Sequence, residues 1–468
     1  MSLALIATGA AAQQISGSST TPNATFADAN TPIKHIVIIM QENHSFDNYF
    51  GTFPNLQSQY AVDQKVCVPL DLKNPSQGCV HPWNADSQWQ KIVTVDLPHT
   101  QGGSLTSIDG GKMDGFVYSA LSAKATNGTT ENYPMAYFTG ATLPDYWDYA
   151  QYYSLDANFF SSIKAPSYPN HLYLVSAQSG GITTNQPVFN LTFDNIASIM
   201  TNSNVDWKYY SGGWNNKINC VSPLTSHFLD SINYPLLYRV WNVLIDFPAI
   251  QQNKISCHNL GGIPQLFTDV SNGNLPQVSW VIPGGTYASE HACNGSPQCG
   301  PILTQAQEYV SSVISAIESD ETLYSSTAIF ITWDDFGGYY DHVTPKTVDK
   351  YGYSFRVPLI VISPYVKHGI SYGVNGQPTD FTSFLKTIES NWKLPGMTTR
   401  DANASSLMGM FDFNQTPSPA LFMPSGKLAS FPVSSCVSSG LCDIGKGNVP
   451  ISTLASAIPK SAAPNDED

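Results

Sequence analysis

His35-Ile36-Val37-Ile38-Ile39-Met40 is an unbroken apolar run, and Gln41-Glu42-Asn43-His44-Ser45-Phe46-Asp47 follows it directly. A strand with one face in water alternates apolar and polar residues. A continuous run belongs to a strand covered on both faces, as in a parallel sheet between helical layers. Runs of the same kind recur at Val278–Ile282, at residues 328–333 (AIFITW) and at residues 357–362 (VPLIVI). Helical periodicity appears in residues 303–319, with Val310, Val313, Ile314 and Ile317 on one face, and again in Phe381–Trp392. Strands alternating with helices predict an α/β fold with a doubly wound, mostly parallel central sheet flanked by helices, and functional residues where the strands end.

The folded domain is expected over residues 31–430. Within it, about residues 195–275 are rich in aromatics, hold Cys220 and Cys257, and are expected as an insertion or cap. Residues 1–30 read as a flexible leader. Residues 431–468 read as a cysteine-containing tail whose last residues are disordered.

Charged residues make up 12% of the 468, about half the usual share, and the formal net charge is -14. No Lys/Arg-rich run or basic stripe interleaved with aromatics offsets that charge, so a nucleic-acid backbone is repelled and no nucleic-acid partner is expected. A sparsely charged surface also suits an acidic medium, because few groups change charge as the pH falls. The eight cysteines form four close couples, Cys67/Cys79, Cys220/Cys257, Cys293/Cys299 and Cys436/Cys442. None has CxxC spacing followed by paired histidines, so disulfides are the favoured reading over a zinc cluster, and they imply an oxidising compartment.

The opening MSLALIATGAAAQQ has an apolar stretch short of the roughly twenty residues that span a bilayer. It reads as a signal-peptide remnant, with an unstructured N-terminus as the alternative because a positively charged n-region is missing. Sequons at Asn23, Asn127, Asn190, Asn294, Asn403 and Asn414 fit a secreted, cell-surface or extracellular glycoprotein. No later segment reads as an integral membrane span, and nothing in the pattern sets an oligomeric state.

Two buried strands deliver acids to one rim. Glu42 and Asn43 follow the first run, and Asp334 and Asp335 follow the run at 328–333, before Phe336-Gly337-Gly338-Tyr339-Tyr340-Asp341-His342. Oxygen donors at strand ends suit a divalent cation, although either pair alone could be a cap or a surface turn. Between them, Pro166-Ser167-Tyr168-Pro169-Asn170 places a serine just ahead of a candidate helix. Ser167 is an N-cap on the plain reading. On the other it is a nucleophile whose anionic form the helix dipole and a metal favour.

These motifs, with Leu97-Pro98-His99-Thr100, Gly111-Lys112-Met113-Asp114-Gly115-Phe116, Ser289-Glu290-His291 and Phe355-Arg356-Val357-Pro358, stand in one order along residues 31–395. In that order the chain resembles the acid phosphatase and phosphatidylcholine-type phospholipase C family, of the alkaline-phosphatase-like type. The resemblance implies one divalent metal ion (Mg, Ca, Mn or Zn) held by Glu42, Asn43, Ser167, Asp334 and Asp335. It implies Ser167 as the nucleophile and His99, His291 and His342 around the phosphate, one of them protonating the leaving group. The chain departs from the pattern at His171, where many members carry Arg, at Asp335, where many carry Glu, and at Phe381, where many carry His. Ser167 itself resembles the phosphatase branch, since phospholipase members often carry Thr there.

The expected activity is therefore a secreted metal-dependent phosphomonoesterase acting through a phosphoserine on a small phosphate ester. A phospholipase C acting on lipid head groups is the same-chemistry alternative. A non-catalytic cell-surface binding glycoprotein is the alternative of another class.

Overall fold

All four continuous apolar runs become strands. The computed structural model describes residues 26–123, 131–214, 236–284, 288–292 and 302–421. Its central sheet has eight strands. In chain order they are β1 (His35–Gln41), β2 (Ser154–Asp156), β3 (Trp207–Ser211), β4 (Leu260–Gly262), β5 (Val278–Ile282), β6 (Thr327–Trp333), β7 (Leu359–Ile362) and β8 (Gly369–Ser371). Across the sheet the order is β8-β2-β7-β6-β1-β5-β3-β4.

β1 lies inside the sheet, parallel to β5 from Ile36/Val278 to Ile39/Val281 and parallel to β6 from His35/Thr327 to Gln41/Trp333. β3 and β4 extend the parallel set, whereas β7 runs antiparallel to both its neighbours. Every residue of β5, β6 and β7 is buried, as is all of β1 after His35. Each Val, Ile or Phe so placed contributes about 1.5–3 kcal/mol, which is why a single charged substitution such as Ile38→Asp would break the sheet.

Helix Ile302–Glu318 buries its apolar stripe and packs on helix Pro144–Tyr152. Helix Phe381–Trp392 starts at a capping box formed by Asp380 and Ser383, and it packs on helix Ser167–Ser176, all of whose residues are buried. The helix bearing Ser167 is thus clamped from behind.

The stretch at about 195–275, expected as an insertion or cap, is described at residues 195–214 and 236–275. It supplies β3 and β4 to the sheet edge, with Trp207, Tyr209 and Tyr210 buried. β3 (WKYYS) is aromatic rather than aliphatic and β4 (LGG) has three residues, two of them glycine, so neither has the continuous signature of β1 and β6.

Cys67 and Cys79 form a disulfide, and Cys257 is disulfide-bonded. Cys220, Cys293, Cys299, Cys436 and Cys442 lie outside the described residues, as do residues 1–25 and 422–468 with the expected leader and tail. Among the described residues no helix is long and apolar enough to cross a membrane.

Candidate active site

The site is built where β1 and β6 end side by side. The Asp334 amide donates to the Gln41 carbonyl at 3.0 Å, which continues the strand pairing one step and sets Glu42 and Asn43 beside Asp334 and Asp335. On the other side the Glu42 amide donates to the Ser289 carbonyl at 2.6 Å, drawing in the segment that carries His291. The turn after β6 needs glycine. Gly337 has φ 58°, and a Cβ there would lie 1.9 Å from the Asn43 carbonyl oxygen.

Ser167 is the first residue of the helix Ser167–Ser176, with extended Pro166 ahead of it. The loop into the helix is fixed by Asn170. Its Oδ1 accepts from the amides of Ser162 and Ile163 at 3.1 and 3.2 Å, and its Nδ2 donates to the Ala165 carbonyl at 2.8 Å. The Ser167 hydroxyl donates to Glu42 Oε2 at 3.1 Å. The other Glu42 oxygen accepts from Trp241 Nε1 at 2.6 Å. The serine oxygen therefore sits at the positive end of a helix with its proton directed at a buried carboxylate.

Each aspartate has one oxygen held by the backbone. Asp334 Oδ1 accepts from the Asp335 amide and Asp335 Oδ1 from the Gly337 amide, both at 2.8 Å. Their Oδ2 atoms are buried and hydrogen-bond to no protein atom, and neither do the two ring nitrogens of His171. Nε2 of His171 stands 3.8 Å from Glu42 Oε1 and 3.9 Å from Asp334 Oδ2. Glu42, His171 and Asp334 each offer a ligand atom, all within 4.8 Å of one another.

Burial, together with the Glu42 and Asp335 charges, holds the Asp334 pKa well above the usual carboxylate range. Burial raises that of Asp335 to about 6, against the pull of His99. Burial lowers the pKa of His171 despite the Glu42 charge, so its imidazole is neutral. Among the described residues no lysine or arginine pairs with these carboxylates. Converging buried carboxylates with orphaned oxygens and no cation of the chain fit a divalent ion. Glu42, Asn43, Ser167, Asp334 and Asp335 are all buried at this rim.

His99 and His291 face the same rim. His99 Nδ1 donates to the Leu97 carbonyl and His291 Nδ1 to the Ala292 carbonyl, each at 2.8 Å. A carbonyl only accepts, so in both rings Nδ1 carries a hydrogen. His99 Nε2 lies 3.4 Å from Asn43 Nδ2, and the two rings meet edge to face at 6.2 Å.

The structure does not bring His342 into this group by any contact. Its Nδ1 donates to Asp47 Oδ2 at 2.6 Å and its Nε2 to the Gln59 carbonyl at 3.1 Å. Asp47 and Asp341 in turn hold the buried Arg356. Burial alone would lower the His342 pKa, but the Asp47 charge and hydrogen bond outweigh it and raise the pKa above 6.5.

Residues absent from the sequence-based set are His171, Trp241, Asp96 and Glu290. Asp96 lies 3.4 Å from His99 Nδ1. The buried Glu290 carboxylate accepts from Tyr49 at 2.7 Å, from Trp333 Nε1 at 2.8 Å and from the Tyr146 hydroxyl, and so pins the segment that carries His291. Asp96 had a signal, its place three residues before His99. Trp241 had none beyond its aromatic-rich surroundings.

Residues 33–395 match the family model described as the phosphoesterase family. Phospholipase C B of Mycobacterium tuberculosis is 26% identical over 443 residues, covering 83% of this chain and 80% of that protein. The non-hemolytic phospholipase C of Pseudomonas aeruginosa is 25% identical over 83% of this chain and 59% of its own length. Non-specific phospholipase C6 of Arabidopsis thaliana is 23% identical over 83% of this chain and 74% of its own. Among solved structures, a phosphonate monoester hydrolase of Agrobacterium radiobacter aligns over 59% of this chain and 74% of its own, at 11% identity and TM-score 0.36. With a match from Ile33 to Pro395 that takes in both acid-bearing strand ends and the serine-led helix, the chain belongs to the phosphoesterase family and is a hydrolase of phosphate esters.

Proposed function

We propose that the protein is a secreted, metal-dependent phospholipase C that cleaves lipid head-group phosphodiesters through a phosphoserine at Ser167. The observation that carries this reading is the Ser167 hydroxyl at a helix N-terminus, 3.1 Å from Glu42 within a buried carboxylate cluster. The relatives named phospholipase C, each aligned over 83% of the chain, support a diester substrate. The Cys67–Cys79 disulfide supports an oxidising destination. A second reading, a phosphomonoesterase, is favoured by one observation, that position 167 is Ser rather than Thr.

Glu42, Asn43, Ser167, Asp334 and Asp335 would hold the ion. When bound, it supplies positive charge that lowers the serine pKa and offsets charge on the phosphoryl oxygens. The Ser167 proton is directed at Glu42 Oε2, and the freed Oγ attacks phosphorus as the bond to the leaving alkoxide breaks. His99 or His291, protonated on Nε2 as well as Nδ1, gives the Nε2 proton to that alkoxide. Water then attacks the phosphoserine, the same Nε2 takes the water proton, and as the P–Oγ bond breaks the proton held on Glu42 Oε2 returns to Oγ. Trp241 and the backbone amides on the aspartates hold the acceptors in place.

The test compares p-nitrophenyl phosphorylcholine with p-nitrophenyl phosphate across pH 3–8, in wild type and Ser167→Ala, with and without chelator. Chelator-sensitive preference for the choline ester, lost by at least about 10³-fold in Ser167→Ala, is the expected result. Preference for the monoester would shift the reading to a phosphatase. Turnover unchanged in Ser167→Ala would overturn the serine mechanism.

A further inference from the structure

We propose that His171 is a nitrogen ligand of the metal, so that the site takes a borderline first-row ion such as Zn²⁺ in preference to Mg²⁺ or Ca²⁺. The inference rests on the metal-dependent reading above and deepens it. His171 lies four residues after Ser167, one turn on along the same buried helix, so the two side chains share a face. The imidazole is fully buried, and although the Val240 backbone stands near enough to act on its charge, neither nitrogen makes a hydrogen bond of normal geometry. Such a ring is costly unless something meets it, because its polar atoms have left water for nothing.

Its Nε2 points between Glu42 Oε1 at 3.8 Å and Asp334 Oδ2 at 3.9 Å, both too long for hydrogen bonds. Those separations suit donors of one ion, since ligands bonded at about 2.0–2.2 Å stand about 3–4 Å apart. Asp334 Oδ2 is itself orphaned, so two unsatisfied atoms from different elements face one another across one gap. An all-oxygen shell suits Mg²⁺, Ca²⁺ and Mn²⁺, whereas an imidazole tips the balance toward Zn²⁺ or Fe²⁺.

The experiment uses the full chain. Metal content is measured by mass spectrometry after dialysis against equimolar Mg²⁺, Ca²⁺, Mn²⁺ and Zn²⁺. The Mn²⁺-loaded protein is then examined by pulsed electron paramagnetic resonance for a directly bound nitrogen. We expect about one ion per chain, Zn²⁺ over Mg²⁺ by at least ~10-fold, and a nitrogen coupling that disappears in His171→Gln and survives in His99→Gln and His291→Gln. In His171→Gln the Zn²⁺ over Mg²⁺ ratio should fall by at least ~10-fold. Should that variant not fold, the wild-type spectrum and the two other variants still decide the matter. A bound ion without nitrogen coupling, or with coupling lost in His99→Gln or His291→Gln instead, overturns the inference and leaves the metal-dependent reading standing. No bound ion of any kind overturns both.

Discussion

Two acidic clusters hang from the same pair of strands and differ in what neutralises them. In the outer one, Asp47 and Asp341 grip the buried Arg356 at 2.8 and 3.0 Å, with His342 against Asp47 and the guanidinium over the Phe46 ring. In the inner one, Glu42, Asp334 and Asp335 meet a serine hydroxyl, an indole and a neutral imidazole, and none of these brings a positive charge. The outer cluster is complete as the chain alone makes it. The inner one is complete once a cation from solution joins it, and that difference separates a structural ion network from a site of chemistry.

The comparison can be broken most forcefully at the outer cluster. Arg356→Met strands two buried carboxylates, and denaturant unfolding should show a loss of about 3–5 kcal/mol whether or not metal is present. A loss under about 1 kcal/mol would mean that the carboxylates are neutral or hydrated, and the contrast between the clusters would collapse.

Chelation should act on the inner cluster alone. Removing an ion held at 100 times its Kd costs about 2.7 kcal/mol of stability, read as a lower Tm. The stripped protein should then regain stability as the pH falls through about 6, the raised value of Asp335, because Asp335 and Asp334 both bind protons more tightly folded than unfolded. If chelated and loaded protein unfold alike at neutral pH, the inner cluster does not need its cation.

The smallest effect sharpens the outer cluster. The folded pKa of His342 stands above 6.5, so its contribution is full below that pH and is lost as the pH rises through the folded value. His342→Gln should therefore cost about 1 kcal/mol at pH 5 and little at pH 9. A cost that grows toward alkaline pH would contradict the ion pair with Asp47.

Much of this architecture was legible because apolar continuity is a strong local signal. β5 and helix Phe381–Trp392 fall where the sequence places them, and β1 and β6 differ by one residue at an end. The strands that escaped notice carry little signal, such as Ser154–Asp156 with three residues and Leu260–Gly262 with two glycines. At the site, Glu42, Asn43, Asp334 and Asp335 were readable from their place after buried strands. His342 was placed at the phosphate by the family resemblance, and its contacts run instead to Asp47 and the Gln59 carbonyl. Gly337 and Gly338, at φ 58° and 78°, turn the chain between them and carry His342 to Asp47. His171 was visible only as a departure from the family pattern, since the contact that gives it meaning is made across the fold.

The placement of β1 has a consequence in time. It is the first strand of the sheet to be synthesised, yet both its partners, Val278–Ile282 and Thr327–Trp333, come more than 200 residues later. At roughly 5–20 residues per second, the ribosome leaves this apolar segment without its sheet neighbours for about ten seconds to a minute. Through that interval its edges are open to other chains, a hazard that grows with crowding of nascent protein. The same delay keeps the partial chain chemically silent, because Glu42 waits for Asp334 to arrive before there is anything for substrate to meet.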